Sequence, residues 1–244
     1  MNFTDKIAVV TGGANGIGRC IADMFRQHGA RVAVVDMDAS GVPCDLFYHG
    51  DIADEQVLKD FTAQVANKFG HVDYLVNNAC LTRRGIFSGC SYEDFLYVQK
   101  VGVAAPYMLT KLLLPYFREG AGVVNICSTR AFMSQADTES YSAAKGGILA
   151  LTHSLSASLA GRVRVNAISP GWIDTTGSPQ SKPDHIQHPS GRIGTPPDIA
   201  KMALYLCSDD SSFINGENIT IDGGMSKLMI YHGEHGWSFA GTAL

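Results

Sequence analysis

Lys6–Phe25 reads KIAVVTGGANGIGRCIADMF, and the reading of this stretch decides the fold. A β-branched run passes through Gly12, Gly16 and Gly18 into a helical pattern. Glycine suits that turn because the chain must bend tightly. It also lets a pyrophosphate approach backbone N–H groups where the helix dipole favours negative charge. A plain strand-to-helix turn has the same composition, so the glycines alone leave both readings open.

The next run, RVAVVD at Arg31–Asp36, favours the phosphate reading. Asp36 falls about twenty residues past the glycines, where a carboxylate accepts hydrogen bonds from the adenosine ribose hydroxyls and repels a 2'-phosphate. Neither Asn15 nor Met37 offers a cation to such a phosphate, so the cofactor expected is NAD and not NADP. Asp51, in HGDIAD, suits the adenine edge and a helix N-cap equally well.

Further along, DLFYHGD, DYLVNNA, GVVNICS, VRVNAIS and NITIDGG are short apolar runs without polar alternation, with helical patterns between most of them. Runs of this kind suit strands buried on both faces. They predict an α/β fold, a Rossmann-type doubly wound parallel sheet of about seven strands. Only about eight residues separate RVAVVD from DLFYHGD, too few for a helical crossover, so the connection between strands 2 and 3 is expected to be reduced. Residues 1–244 read as one domain, with a Gly-, Pro-, Ser- and Thr-rich lid over 172–197 and an irregular tail over 226–244.

The 244 residues are 45% hydrophobic and carry a formal charge of -4 with no run of like charges. No electrostatic footprint for nucleic acid or an anionic membrane is present. No apolar run approaches the ~18 residues of a membrane span and no leader pattern opens the chain, so a cytoplasmic protein is expected. The six cysteines are scattered without C-x-x-C spacing and are expected to be reduced and mostly structural.

The chemistry is expected in TESYSAAKGGILALT, Thr138–Thr152, where Tyr141 and Lys145 stand one helical turn apart on one face. A phenol titrates near ~10, and a neighbouring ammonium stabilises the phenolate and lowers that value toward working pH. Such a tyrosine exchanges a proton with an alcohol or ketone. Ser128, closing GVVNICS, is placed at a strand end beside that face, able to hold the substrate oxygen.

The chain resembles the short-chain dehydrogenase/reductase family from about Lys6 to Gly224. The motifs that carry the resemblance are TGGANGIG, NNA at Asn77–Ala79, Ser128 thirteen residues before Tyr141, YSAAK, SPGWIDT and TIDGG. The resemblance implies that Tyr141 is the general acid/base, that Ser128 positions the substrate oxygen, and that Lys145 lowers the tyrosine pKa and holds the nicotinamide ribose. It places Ile173 and Thr175 at the carboxamide and Asn77 near the cofactor ribose. Ile17, Ile52, Ala79, Pro170 and Gly171 complete the expected cofactor set.

Two residues depart from the family pattern. Gly102, in VGVAAPYMLT, stands where relatives carry an asparagine whose helix kink serves a proton relay to the lysine. Glycine keeps the carbonyl and tolerates a kink, so a backbone-only relay is expected. Cys80 replaces the glycine of NNAG; a packing role against the ribose is expected over redox sensing.

The substrate pocket is expected to draw on Arg83, Arg84, Arg130, Phe132, Gln135, Trp172, His185 and His188. Arginines suit a carboxylate or phosphate, and equally a solvated surface. The short lid favours a small polar or acidic alcohol or ketone over a steroid or 3-oxoacyl substrate. In the tail, His232, Glu234 and His235 lack the spacing of a helical zinc motif, and no metal is expected. Relatives commonly assemble as dimers or tetramers with their C-termini near subunit contacts, and the resemblance implies a homodimer or homotetramer. Two functions are weighed: an NAD-dependent alcohol dehydrogenase or ketone reductase, and a catalytically weak NAD(H)-binding interaction or redox-sensing protein.

Overall fold

Seven parallel strands form a single sheet in the order β3-β2-β1-β4-β5-β6-β7. They are β1 (Ile7–Thr11), β2 (Arg31–Asp36), β3 (Leu46–His49), β4 (Val72–Asn77), β5 (Phe117–Ile126), β6 (Val163–Pro170) and β7 (Asn218–Ile221). The helices are α1 (Gly16–Gln27), α2 (Glu55–Phe69), α3 (Tyr92–Gln99), α4 (Ala105–Leu113), α5 (Glu139–Ser158), α6 (Lys182–Ile186) and α7 (Pro196–Cys207). The computed structural model describes residues 1–39, 41–83, 85–231 and 233–236.

Alternation along the strands splits the core into two layers. Ala8, Val10, Val32, Val34 and Tyr74 face a cluster with Ile21 and Phe25 of α1 and Ile199 and Leu204 of α7. Ile7, Val9, Ala33, Val35 and Leu75 face another with Leu58 and Phe61 of α2 and Leu109 of α4. Both faces of the central strands are covered, which is why their sequences show no polar alternation.

Among the described residues no helix joins β2 to β3, as the short spacing requires. The order reverses between β1 and β4, opening a crevice at the carboxyl ends of the strands where α/β sheets bind ligands. The lid is more regular than its composition suggests. It holds the short helix α6, started by a reciprocal Ser181–Asp184 capping box, and its end overlaps the start of α7. Ile173 pairs with Gly194 in an isolated parallel bridge that ties the base of the lid together.

Candidate active site

The turn between β1 and α1 is built around backbone groups. Gly12 and Gly16 adopt left-handed φ values of 64° and 55°. A Cβ on Gly18 would lie 2.1 Å from the Gly12 carbonyl oxygen, so this glycine serves close packing and does not line the crevice. Asn15 precedes α1 without a side-chain cap, and no acidic residue occupies the first turn. Its amide donates instead to Asp38 Oδ2 at 2.8 Å, which leaves the helix N-terminus free to receive an anion.

A cleft of about 650 Å³ runs over this turn. Of the residues expected at the cofactor, Gly12, Asn15, Gly16, Ile17, Asp36, Asp51, Ile52, Ala79 and Thr175 line it. Asp36 accepts from the Ala14 and Asp38 backbone N–H groups at 2.8 and 2.9 Å. Asp51 accepts from Tyr97 Oη at 2.7 Å, while Asp54 caps α2 by accepting from Gln56, so the capping alternative falls to a different aspartate. Among the described residues no lysine, arginine or histidine lines this cleft. A glycine cradle at an uncapped helix N-terminus beside a carboxylate fits a dinucleotide.

Other expected cofactor residues lie elsewhere. Asn77 Nδ2 donates to Asn125 Oδ1 at 2.8 Å within the buried sheet, and Asn78 lines the cleft in its place. Asn78 Nδ2 donates to the Thr11 and Gly12 carbonyls at 3.1 and 2.9 Å, bracing the glycine turn from β4. Pro170 ends β6, Ile173 packs on the core and Gly171 lines a second cleft.

That second cleft, of about 780 Å³, holds Ser128, Tyr141, Arg130, Gln135, Thr138 and Trp172, and shares Cys80 and Leu81 with the first. Ser128 follows β5 and starts a short turn, its Oγ accepting from the Arg130 backbone N–H at 3.1 Å. Tyr141 and Lys145 lie on one face of α5, with Lys145 Nζ 5.4 Å from the centre of the phenol ring. The lysine is 3% exposed and donates to the Ile126 carbonyl at 2.8 Å.

Burial raises the Tyr141 pKa, against the lowering effect of Lys145 and of a hydrogen bond with Ser128. The net shift is therefore opposite to the lowering read from sequence, because the phenol is enclosed and Lys145 offsets only part of that cost. For Lys145, burial works to lower the pKa, yet Cys80, Tyr141 and Cys127 bring it above the ordinary value. The pair at neutral pH is thus a protonated phenol beside an ammonium.

Gly102 sits in a π-helical turn, Lys100–Ala104, the kink expected at this place. A Cβ there would meet Ala144 Cβ at 2.8 Å. The helix holding Lys145 thus approaches a position where a side chain has no room.

Several substrate candidates are committed to other partners. Arg83 pairs with Asp94 at 3.6 Å and lies 5.4 Å from the centre of the Tyr97 ring. Phe132 is half-exposed and does not line the cleft. His185 Nδ1 accepts from the Ile193 N–H at 3.3 Å. His188, 2% exposed, supports Trp172 from behind at 6.2 Å between ring centres. Thr82, Gln187 and Met225 line the cleft without having been signalled by any local pattern. Arg84 and His232 lie outside the described residues. Among the described residues no group of three His, Cys, Asp or Glu side chains could hold a metal, no cysteine is in a disulfide, and no helix is long and apolar enough to cross a membrane.

Comparison with known proteins agrees with this geometry. Residues 12–226 match a family profile described as enoyl-(acyl carrier protein) reductase. An uncharacterized oxidoreductase of Thermotoga maritima is 41% identical, the match covering 93% of this chain and 98% of that one. A 3-oxoacyl-[acyl-carrier-protein] reductase, FabG, of the same organism is 31% identical over 92% of this chain and 99% of its own. An apo SCOR enzyme from Clostridium thermocellum superposes with a TM-score of 0.89 at 44% identity, covering 96% of this chain and 97% of that one. With the parallel sheet, the glycine turn and the Ser128–Tyr141–Lys145 arrangement, these matches make the chain a member of the short-chain dehydrogenase/reductase family, an oxidoreductase family that uses nicotinamide cofactors.

Proposed function

We propose that the chain is an NAD(H)-dependent oxidoreductase that interconverts a secondary alcohol and a ketone on a small polar or acidic substrate. The observation that carries this reading is the junction of the two clefts. Ser128 and Tyr141 line one, the glycine turn and Asp36 line the other, and Cys80 and Leu81 belong to both. A shared wall lets the nicotinamide and a carbinol carbon meet in contact.

The α1 N-terminus would hold the pyrophosphate, Asp36 the adenosine ribose, and Thr175 and Ala79 the nicotinamide half. When bound, the nicotinamide supplies or accepts the hydride. Ser128 orients the carbonyl oxygen, and the Tyr141 phenol donates its proton to that oxygen during reduction. In oxidation the phenolate takes the proton back, with Lys145 compensating its charge. NAD is favoured over NADP because a 2'-phosphate would meet the Asp36 carboxylate in a cleft that no cation lines among the described residues.

The test is a panel of hydroxy acids, sugar acids, polyols, steroids and 3-oxoacyl thioesters assayed with NAD(H) and NADP(H). Tyr141→Phe is expected to lower turnover by roughly 10²–10⁴-fold while NADH binding persists. NADH binding without turnover of any member, together with a silent Tyr141→Phe, would establish the weakly catalytic binding protein instead.

A further inference from the structure

We infer that Arg130 determines specificity, and that the substrate bears an anionic oxygen group, a carboxylate or a phosphate, in addition to its carbinol carbon. This rests on reading Ser128, Tyr141 and Lys145 as alcohol/ketone machinery. Among the described residues, Arg130 is the one formally charged residue lining the substrate cleft. Its guanidinium donates to Gln135 Oε1 and, at 3.4 Å, to Thr138 Oγ1, both neutral acceptors.

The carboxylates nearest in sequence are engaged elsewhere. Asp137 accepts from the Phe87 and Ser88 N–H groups, and Glu139 from that of Ile86. The contrast with neighbouring arginines is direct: Arg83 pairs with Asp94 and Arg192 with Asp198, whereas Arg130 has no carboxylate partner among the described residues. Its charge is therefore not neutralised by an ion pair in a cleft walled by Leu81, Trp172 and Met225. With five N–H donors and neutral groups fixing its orientation, it can offer a planar fork to an oxyanion. The Arg130 backbone N–H also holds Ser128 Oγ, so one short turn sets both the hydroxyl that orients the carbonyl and the cation that selects its bearer.

The experiment compares matched pairs: 3-hydroxybutanoate with its methyl ester, and glycerol 3-phosphate with glycerol. Each is assayed for NAD reduction and for thermal stabilisation of the enzyme with NADH. The wild-type enzyme is expected to prefer the anionic member of at least one pair by roughly 100-fold in kcat/KM, and to be stabilised by it alone. The preferred pair tells carboxylate from phosphate. Arg130→Met is expected to raise KM for the anion with little change in kcat, to leave the neutral member and NADH affinity unaffected, and Arg130→Lys is expected to restore part of the loss. Equal use of both members, or no stabilisation by either anion, overturns the inference. Neutral alcohols oxidised in a Tyr141-dependent way would then leave the reaction itself standing, whereas a silent Tyr141→Phe would remove both.

Discussion

The two clefts share Cys80 and Leu81 but are made of different material. The first cleft is formed by the backbone of one glycine turn, two carboxylates, Asp36 and Asp51, and the ends of β1, β2 and β4, and among the described residues no cation lines it. The second cleft is assembled from side chains of separated segments, with one cation and no carboxylate among the described residues. A backbone-built site is specified by a contiguous motif. A side-chain-built site depends on which residues tertiary contacts leave unpaired.

The largest expected effect tests the proton-transfer end of the comparison. Because burial holds the Tyr141 phenol above its ordinary pKa, the protonated acid prevails at neutral pH, so ketone reduction should run across that range. Alcohol oxidation needs the phenolate and should rise with pH. Lys145→Met removes the main influence that lowers the phenol pKa. Beyond an activity loss of roughly 10²-fold or more, it should move the rising limb of the oxidation profile to higher pH. A limb that stays in place, or moves to lower pH, would show that Lys145 does not tune Tyr141.

A smaller effect is expected at the nucleotide end. Asp36→Ala removes the carboxylate proposed to hold the ribose and the acceptor for the Ala14 and Asp38 N–H groups. Selectivity for NAD over NADP should fall by roughly 10–100-fold, as read from the two kcat/KM values, mostly through KM for NAD. The Arg130 variants proposed above should leave this ratio unchanged. If they alter it, the clefts are not the separate devices their linings imply.

Legibility follows the same division. Gly12, Gly16 and the Tyr141–Lys145 spacing could be read directly because each depends on the chain a few residues away, Asp36 could be read from its place at the end of the next apolar run, and the parallel sheet followed from runs buried on both faces. Asn77 and Asn78 show where local reading stops. The motif gives two adjacent asparagines, but the last position of β4 turns Asn77 toward Asn125 in the sheet, and Asn78 is the one at the cleft. Nothing local distinguishes Arg83 from Arg130, since the difference lies in Asp94 and Tyr97. The helix in the lid did have a signal, Ser181 three residues before Asp184 with a proline between, but five residues are too few for a helical period to show.

Gly102 lies in the π-helical turn that precedes α4, and it is this turn that packs against the helix carrying Lys145. Relatives' asparagine cannot simply be restored here: a Cβ at this position already lies 2.8 Å from Ala144 Cβ, one residue before Lys145. Gly102→Ala should therefore destabilise the chain by about 1–3 kcal/mol through overpacking and displace Lys145. Ala144→Gly in the same chain should recover activity by vacating the space, at a smaller stability cost from glycine in a helix. Loss of activity in Gly102→Ala that Ala144→Gly leaves unrepaired would mean that the glycine backbone itself, and not its fit against α5, is what the site requires.

The smallest expected effect belongs to the lid. Arg192 donates two hydrogen bonds of 2.7 Å to Asp198, and Asp198 also accepts from the Thr195 backbone N–H, tying the lid's end to the first turn of α7. Those hydrogen bonds, the one from Arg192 first, hold the Asp198 carboxyl well below the usual range. Its folded pKa is thus below its unfolded one, so the pair's stabilisation is present above about pH 4, where an unfolded aspartate is ionised, and is lost as pH falls through the lowered folded value. Arg192 is 55% exposed and Asp198 24% exposed, so solvent still reaches the pair and its contribution is small and screened by salt. Arg192→Ala should therefore lower Tm slightly at neutral pH, less so in high salt and less again in acid, and should raise KM for the substrate more than for NAD. An equal rise in both would mean that this ion pair supports the fold as a whole, and that the lid serves the two clefts alike.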